Sequence, residues 1–114
     1  MHELSVMSYL LDRVETHAER LGATKIVTIN LVIGDRASIV DDSLLFYFDM
    51  LTPGTVADGA KLKVRRTHMR CSCPRCATDY QPDGFGFNCP TCGTVGKVTS
   101  DGTEFLIESL EIEQ

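Results

Sequence analysis

The chain has 114 residues, of which 43% are hydrophobic and 24% charged, and its formal net charge is −5 at pH 7. This size fits one small domain, or a domain with an inserted lobe, and the apolar fraction excludes a mainly disordered chain. No apolar run approaches the roughly 18–20 residues of a membrane span, no signal-like start is present, and the acidic balance disfavours nucleic acid, so we expect a cytoplasmic protein with neither a membrane nor a nucleic-acid partner.

The first third of the chain predicts a helix followed by a strand. Apolar residues recur at intervals of three and four from Leu4 to Leu21, and Gly22 follows as a stop signal. Residues 25–33 (KIVTINLVI) are β-branched and apolar almost throughout, which is typical of a strand that is buried on both faces.

A second helix and two further strands follow along the chain. The segment 41–43 (DDS) offers a side-chain N-cap for the helical run LLFYFDML, and Pro53-Gly54 ends that run. Residues 61–69 and 104–112 alternate between apolar and polar residues as strands do, and both are expected to join one sheet.

Four of the five cysteines form two turns of equal spacing, Cys73-Pro-Arg-Cys76 and Cys89-Pro-Thr-Cys92. Two residues between paired cysteines let both sulfurs face one ion, and Gly93 accepts the positive φ that such a turn requires. Reduced thiols in the cytoplasm bind metals more readily than they form disulfides. The spacing therefore predicts Zn(II), with a disulfide pair or an iron–sulfur centre as the alternatives, and a site of four thiolates is expected to be structural because it leaves no open position for substrate.

The cysteine segment interrupts the predicted sheet. The fold class is therefore expected to be α+β, with two helices on a small sheet of about three strands and an inserted zinc-ribbon-like lobe. The predicted domains are an α/β domain of residues 1–70 plus 101–114 and a zinc-binding lobe of residues 71–100.

Three further side chains are weighed as metal ligands. Cys71 competes with Cys73 for the first ligand position, and the symmetry of the two C-P-x-C turns favours Cys73. His68 lies three residues before Cys71 and is a candidate for an exchangeable or indirect role at the zinc site. His17 has a spacing that suits the half-buried edge of the first helix, and packing or solvation is expected for it rather than metal binding.

The segment Met1-His2-Glu3 is a second candidate metal site. The first amides of a helix lack backbone partners, so a metal can replace their protons without breaking the helix. The Met1 amine, the His2 amide and imidazole, and the Glu3 amide together offer four nitrogens, a set that favours square-planar Ni(II) or Cu(II). The alternatives are a solvated His2 and a Glu3 carboxylate that only stabilises the helix start.

The Met1-His2-Glu3 start, the helix that follows it and the two CxxC turns together resemble the HypA/HybF family of nickel metallochaperones. The segments 33–36 (IGDR) and 56–60 (VADGA) extend the resemblance over most of the chain. It implies a non-enzymatic carrier that transports Ni(II) bound at His2, with Met1 and Glu3 as further candidate ligands, and that serves nickel–iron hydrogenase or, in some bacteria, urease. The implied structural Zn(II) ligands are Cys73, Cys76, Cys89 and Cys92.

The same resemblance implies partners and one further ligand. The partners would be a nickel-handling GTPase and the hydrogenase large subunit, and the carrier itself would be a monomer or a homodimer. Some members use an acidic side chain near the second helix, a position that Asp41 or Asp42 occupies here. The rival interpretation is a zinc-ribbon protein-interaction adaptor without a nickel role. A small metalloenzyme fits least, because it would need an open metal position beside a general acid or base.

Overall fold

A computed structural model of the chain describes residues 3–82 and 86–114, which form two helices and six strands. The helices are α1 (Glu3–Arg20) and α2 (Asp41–Leu51). The strands are β1 (Lys25–Gly34), β2 (Lys61–Thr67), β3 (Arg70–Ser72), β4 (Asp79–Tyr80), β5 (Lys97–Ser100) and β6 (Phe105–Glu113). The predicted α+β class is confirmed. Neither of the helices described is long and apolar enough to cross a membrane.

The strands form two three-stranded sheets, ordered β2-β1-β6 and β4-β3-β5. The two predicted strands that flank the cysteine segment do share a sheet, but β1 lies between them. The Thr24 amide donates to the Glu113 carbonyl at 2.8 Å, and the Gly34 amide donates to the Glu104 carbonyl at 2.7 Å. The start of β1 therefore meets the end of β6, which makes this pair antiparallel.

The chain divides into two compact units, which are described separately below. Unit 1 comprises Met1–Val32, Ser38–Arg65 and Leu106–Gln114, and unit 2 comprises Ile33–Ala37 and Arg66–Phe105. The predicted division into an α/β domain of residues 1–70 plus 101–114 and a zinc-binding lobe of residues 71–100 stays a prediction.

Unit 1 contains the larger hydrophobic core. α1 buries one stripe of side chains at intervals of three and four residues, α2 buries two side chains, and β1 is buried on both faces as predicted. Within unit 1, the buried apolar side chains of these elements are Val6, Met7, Leu10, Leu11, Val14, Ala18, Ile26, Ile29, Leu31, Val32, Leu44 and Phe48.

The buried stripe of α1 is shorter than its apolar pattern predicts. Leu4 and Leu21, the two ends of the predicted stripe, are exposed, whereas Val6 is buried. His17 is exposed, so of its two predicted roles, packing and solvation, the structure favours solvation. The buried face thus runs from Val6 to Ala18, and the two ends of the apolar pattern lie outside it.

The start of α2 differs from the predicted N-cap at residues 41–43. The capping residue is Val40, which is extended (φ −96°, ψ 124°) and makes no side-chain capping bond. The Val40 amide lies within hydrogen-bond distance of Glu3 Oε1, at 3.4 Å. The side-chain cap was wrong because Asp41 and Asp42 already belong to the first helical turn, where negative charge complements the helix dipole.

Candidate metal centre

The two CxxC turns of unit 2 have the same backbone geometry. The Ala77 amide donates to the Cys73 carbonyl and the Gly93 amide to the Cys89 carbonyl, both at 2.9 Å. Ala77 and Gly93 follow the second cysteine of their turns and have φ values of 57° and 77°. The positive φ that the sequence predicted at Gly93 therefore occurs in both turns, and alanine tolerates it in the first.

These turns bring four sulfur atoms together. The Sγ atoms of Cys73, Cys76, Cys89 and Cys92 all lie within 4.8 Å of one another. Cys73 Sγ and Cys92 Sγ, from different turns, are 3.5 Å apart. Four sulfurs bound to zinc at about 2.3 Å in a tetrahedron would be about 3.8 Å apart. The spacing of the sulfurs therefore fits one tetrahedral ion.

Backbone and hydroxyl groups around two of the sulfurs favour the thiolate forms of Cys89 and Cys92. The Cys76 amide donates to Cys73 Sγ at 3.3 Å, and the Thr91 amide donates to Cys89 Sγ at 3.4 Å. Amide hydrogen bonds lower the pKa of Cys89, and the Thr94 hydroxyl and amide lower the pKa of Cys92 to about 6. Hydrogen bonding to Cys92, followed by burial, raises the pKa of Cys76 to about 12. A divalent cation bound by the four sulfurs would displace the proton that the raised pKa keeps on Cys76.

Cys71 is buried but lies outside the group of four sulfurs. It occupies β3, where it is paired with Tyr80 of β4 and with Val98 of β5. The structure thus brings Cys73 and not Cys71 to the position that the symmetry of the two turns favoured.

Tyr80 belongs to the small hydrophobic core beside the four sulfurs, and the sequence analysis did not identify it. It is buried with Cys71, Cys73 and Cys89, and its hydroxyl donates to the Phe87 carbonyl. Burial, followed by the neighbouring Cys71 and Cys89 sulfurs, raises the pKa of Tyr80. An aromatic residue in a short segment between two CxxC turns is the signal that could have identified it, because a small lobe has few other side chains to bury.

The histidines considered as ligands lie elsewhere in the described chain. His68 pairs with Asp35 within unit 2 at the rim of a shallow groove of about 610 Å³, which Met69 and Phe87 also line. His17 borders a small surface depression with Asp12 and Arg20. Neither belongs to a group of three or more metal-ligating side chains among the residues described.

Met1 and His2 of the candidate nickel site lie outside the described residues. Glu3 is the first residue of α1, and its carboxylate reaches the Val40 amide at the start of α2.

An α+β fold with a cluster of four cysteine sulfurs defines a class of small metal-binding proteins. A sequence model of one family, described as hydrogenase/urease nickel incorporation, metallochaperone, hypA, matches residues 1–112. The chain belongs to this HypA family, which confirms the resemblance.

Relatives and solved structures agree with this assignment. The hydrogenase maturation factor HypA of Caldanaerobacter subterraneus is 40% identical, over 99% of this chain and 100% of its own length. The corresponding factor of Dehalococcoides mccartyi is 38% identical, over 99% and 95%. A solution structure of a HypA protein superposes with a TM-score of 0.70 at 27% identity, covering 98% and 96% of the two chains. The solution structure of the nickel metallochaperone HypA from Helicobacter pylori shares the fold, with a TM-score of 0.67 at 24% identity over 99% and 98%.

Proposed function

We propose that this chain is a nickel carrier that binds Ni(II) at its N-terminus and delivers it during the maturation of nickel–iron hydrogenase. The observation that carries the proposal is the family match over residues 1–112, because the family description names nickel incorporation. The curated relatives, named hydrogenase maturation factors, match over nearly their whole length, which favours this role over a zinc-ribbon adaptor.

The proposed nickel ligands are the Met1 amine, the His2 amide and imidazole, and Glu3. Support comes from the start of α1, because the amides of a first helical turn have no backbone acceptors and can lose their protons to a metal. Nitrogen donors in a plane favour Ni(II) over Zn(II). The Glu3 carboxylate lies beside the start of α2, which keeps Asp41 or Asp42 as a candidate further ligand.

Zn(II) is the proposed occupant of the site formed by Cys73, Cys76, Cys89 and Cys92. The sulfur spacing and the amide donors fit this ion, and with four protein ligands its role is structural. The proposed partners are a nickel-handling GTPase and the hydrogenase large subunit, which receive nickel through protein contact.

Nickel titration of the untagged chain tests this proposal. Because amide coordination releases protons, Ni(II) affinity should rise with pH, and the bound ion should show the d–d absorption of a square-planar centre. His2→Ala and acetylation of the Met1 amine should each abolish this site. The matched controls are His17→Ala and His68→Ala, which should retain it.

A variant with one extra residue before Met1 distinguishes the carrier hypothesis from the adaptor hypothesis. The extension should abolish the square-planar spectrum while zinc content and helical circular dichroism stay unchanged. If His2→Ala bound Ni(II) with wild-type affinity and spectrum, the N-terminal site and the carrier built on it would be wrong.

A further inference from the structure

The outward face of α2 is apolar, unlike that of α1. Leu45, Phe46 and Met50 are 39%, 63% and 51% exposed, and with Asp42 and Asp49 they follow the i, i+3, i+4, i+7, i+8 spacing of one helix face. We call these five residues the α2 face. The outward side of α1 over the same spacing is mainly polar, with Asp12, Glu15, Thr16 and Glu19 exposed. The opposite side of α2 contributes Leu44 and Phe48 to the core of unit 1. The α2 face is therefore an exposed apolar surface that is not part of this core.

Phe46, the most exposed of the three apolar residues of this face, contacts the ring of its neighbour. Its ring packs edge-on against Tyr47, with the centroids 5.3 Å apart and the planes at 77°. An aromatic side chain has few rotatable bonds, so it loses little conformational freedom when a partner covers it. Aromatic residues, phenylalanine included, are enriched in the buried centres of protein interfaces.

The negative charge around the α2 face favours a basic partner. α2 contains three aspartates and no lysine, arginine or histidine. Unit 1 carries eleven acidic and six basic residues, so the net charge of −5 resides on this unit. A second copy docked face to face would place like charges together, and an anionic membrane would be repelled, whereas a basic partner would be attracted.

The position of α2 connects this face to the proposed nickel terminus. Val40, which precedes α2, is 57% exposed, and its amide lies within hydrogen-bond distance of Glu3 Oε1. A partner that covers the α2 face would therefore lie close to Glu3. This connection rests on the proposed nickel function, whereas the apolar and acidic character of the face does not.

We infer that the α2 face is a docking site for an amphipathic helical segment of a partner protein, with apolar residues along one side and lysine or arginine beside them. The apolar side of the segment covers Leu45, Phe46 and Met50, and its basic residues face Asp42 and Asp49. In a nickel carrier, such docking would place the receiving protein next to the N-terminus.

A synthetic peptide tests the docking site on the full-length, zinc-loaded chain. The probe is a helical peptide of about 18 residues with a leucine stripe flanked by lysines, and the matched control peptide has glutamate in place of every lysine. In ¹⁵N-labelled protein, the lysine peptide should produce saturable shifts centred on residues 42–50. The glutamate peptide should produce none.

Surface variants then test the contacts. Phe46→Ser should weaken binding of the lysine peptide about tenfold or more. Leu106→Ser, which changes a 47% exposed leucine of β6, is the matched control and should leave binding unchanged. Asp42→Asn with Asp49→Asn should lower the affinity at low salt and reduce its salt dependence.

Three results would overturn the docking site: shifts centred elsewhere, equal binding of both peptides, or an unchanged affinity in Phe46→Ser. A wild-type dimer in sedimentation that Phe46→Ser dissociates would also overturn it, in favour of self-association. Nickel titration keeps the two proposals separate. Phe46→Ser should bind Ni(II) normally, and a His2→Ala chain that lacks nickel should still bind the lysine peptide.

Discussion

The Tyr80 hydroxyl occupies the space that a side chain at residue 96 would need. A methyl group at Gly96 would overlap the oxygen and the outer ring of Tyr80. The same hydroxyl donates to the Phe87 carbonyl, to which the Gly96 amide also donates at 2.8 Å. Tyr80 and Gly96 thus meet at a carbonyl two residues before Cys89, so the strand that follows the first CxxC turn is bonded to the approach to the second.

Gly96→Ala should loosen the metal-binding end of unit 2. The added methyl must displace Tyr80 from the Phe87 carbonyl, and overpacking of this kind typically costs about 1–3 kcal/mol. We expect faster transfer of zinc to a chromophoric chelator, measured by absorbance. Adding Tyr80→Phe, which removes the closest atom, should restore part of the loss. Gly59→Ala in unit 1 is the control, and equal zinc release by Gly96→Ala and Gly59→Ala would contradict this role of Tyr80.

The five cysteines should separate into four ligands and one packing residue. Cys73→Ala and Cys92→Ala each remove one of the four clustered sulfurs, so zinc stoichiometry should fall and residues 71–98 should lose their dispersed NMR resonances, while α1 and α2 stay folded. Cys71→Ala is the matched variant. It should keep one zinc per chain, because its buried sulfur lies outside the cluster. A zinc loss in Cys71→Ala equal to that in Cys73→Ala would refute the assignment.

Gly34→Ala should destabilise unit 2 for a steric reason. A Cβ at residue 34 would overlap the Gly102 carbonyl and reach Glu104 Oε2 at 2.7 Å, and backbone cannot rotate away as a side chain can. We expect the free energy of unfolding, measured in urea, to fall by about 1–3 kcal/mol or more. Gly54→Ala, where no atom lies within 4 Å but φ is +80°, should cost only about 1 kcal/mol. Equal losses would show that close approach does not determine the glycine at position 34.

Unit 2 should lose stability on acidification through two carboxylates. Hydrogen bonds from Ser100 and then Thr67 lower the pKa of Glu104, and those from the Thr103 hydroxyl and amide lower the pKa of Asp101. A lowered pKa in the folded state means that the stabilisation is complete above the ordinary carboxyl pKa of about 4 and is lost as pH falls through the folded value.

Glu104→Gln isolates this effect. The stability difference between wild type and Glu104→Gln, measured by denaturant unfolding, should be largest near neutral pH and shrink on acidification. Protonation of the cysteines acts on both chains alike and cancels in the difference. A difference that stayed constant, or grew, as pH fell would contradict the proposed bonding of Glu104.

Local chemistry explains what could be predicted from the sequence. Each CxxC pair is made within one turn, so its spacing already determines that two sulfurs face one point. The middle stripe of α1 and the two buried faces of β1 likewise follow from the 3.6- and 2-residue periods of a helix and a strand. The family resemblance rested on the same local segments, which is why it was confirmed over the whole chain.

The features that could not be predicted depend on contacts between residues that are far apart in the sequence. The order β2-β1-β6 depends on which strand edges meet, and the partners of Tyr80 and Glu104 lie on segments that only folding brings near. The contact of the Val40 amide with Glu3, 37 residues away in sequence, likewise could not be read from the residues around α2. The amino-acid sequence by itself determined the two helices, the strands β1, β2 and β6 and the two cysteine turns, since each depends on neighbours within a few residues, whereas the short strands β3, β4 and β5 were not predicted. Only the tertiary structure decided which apolar face of α2 became core and which stayed exposed, because both faces are apolar and burial depends on what packs against them.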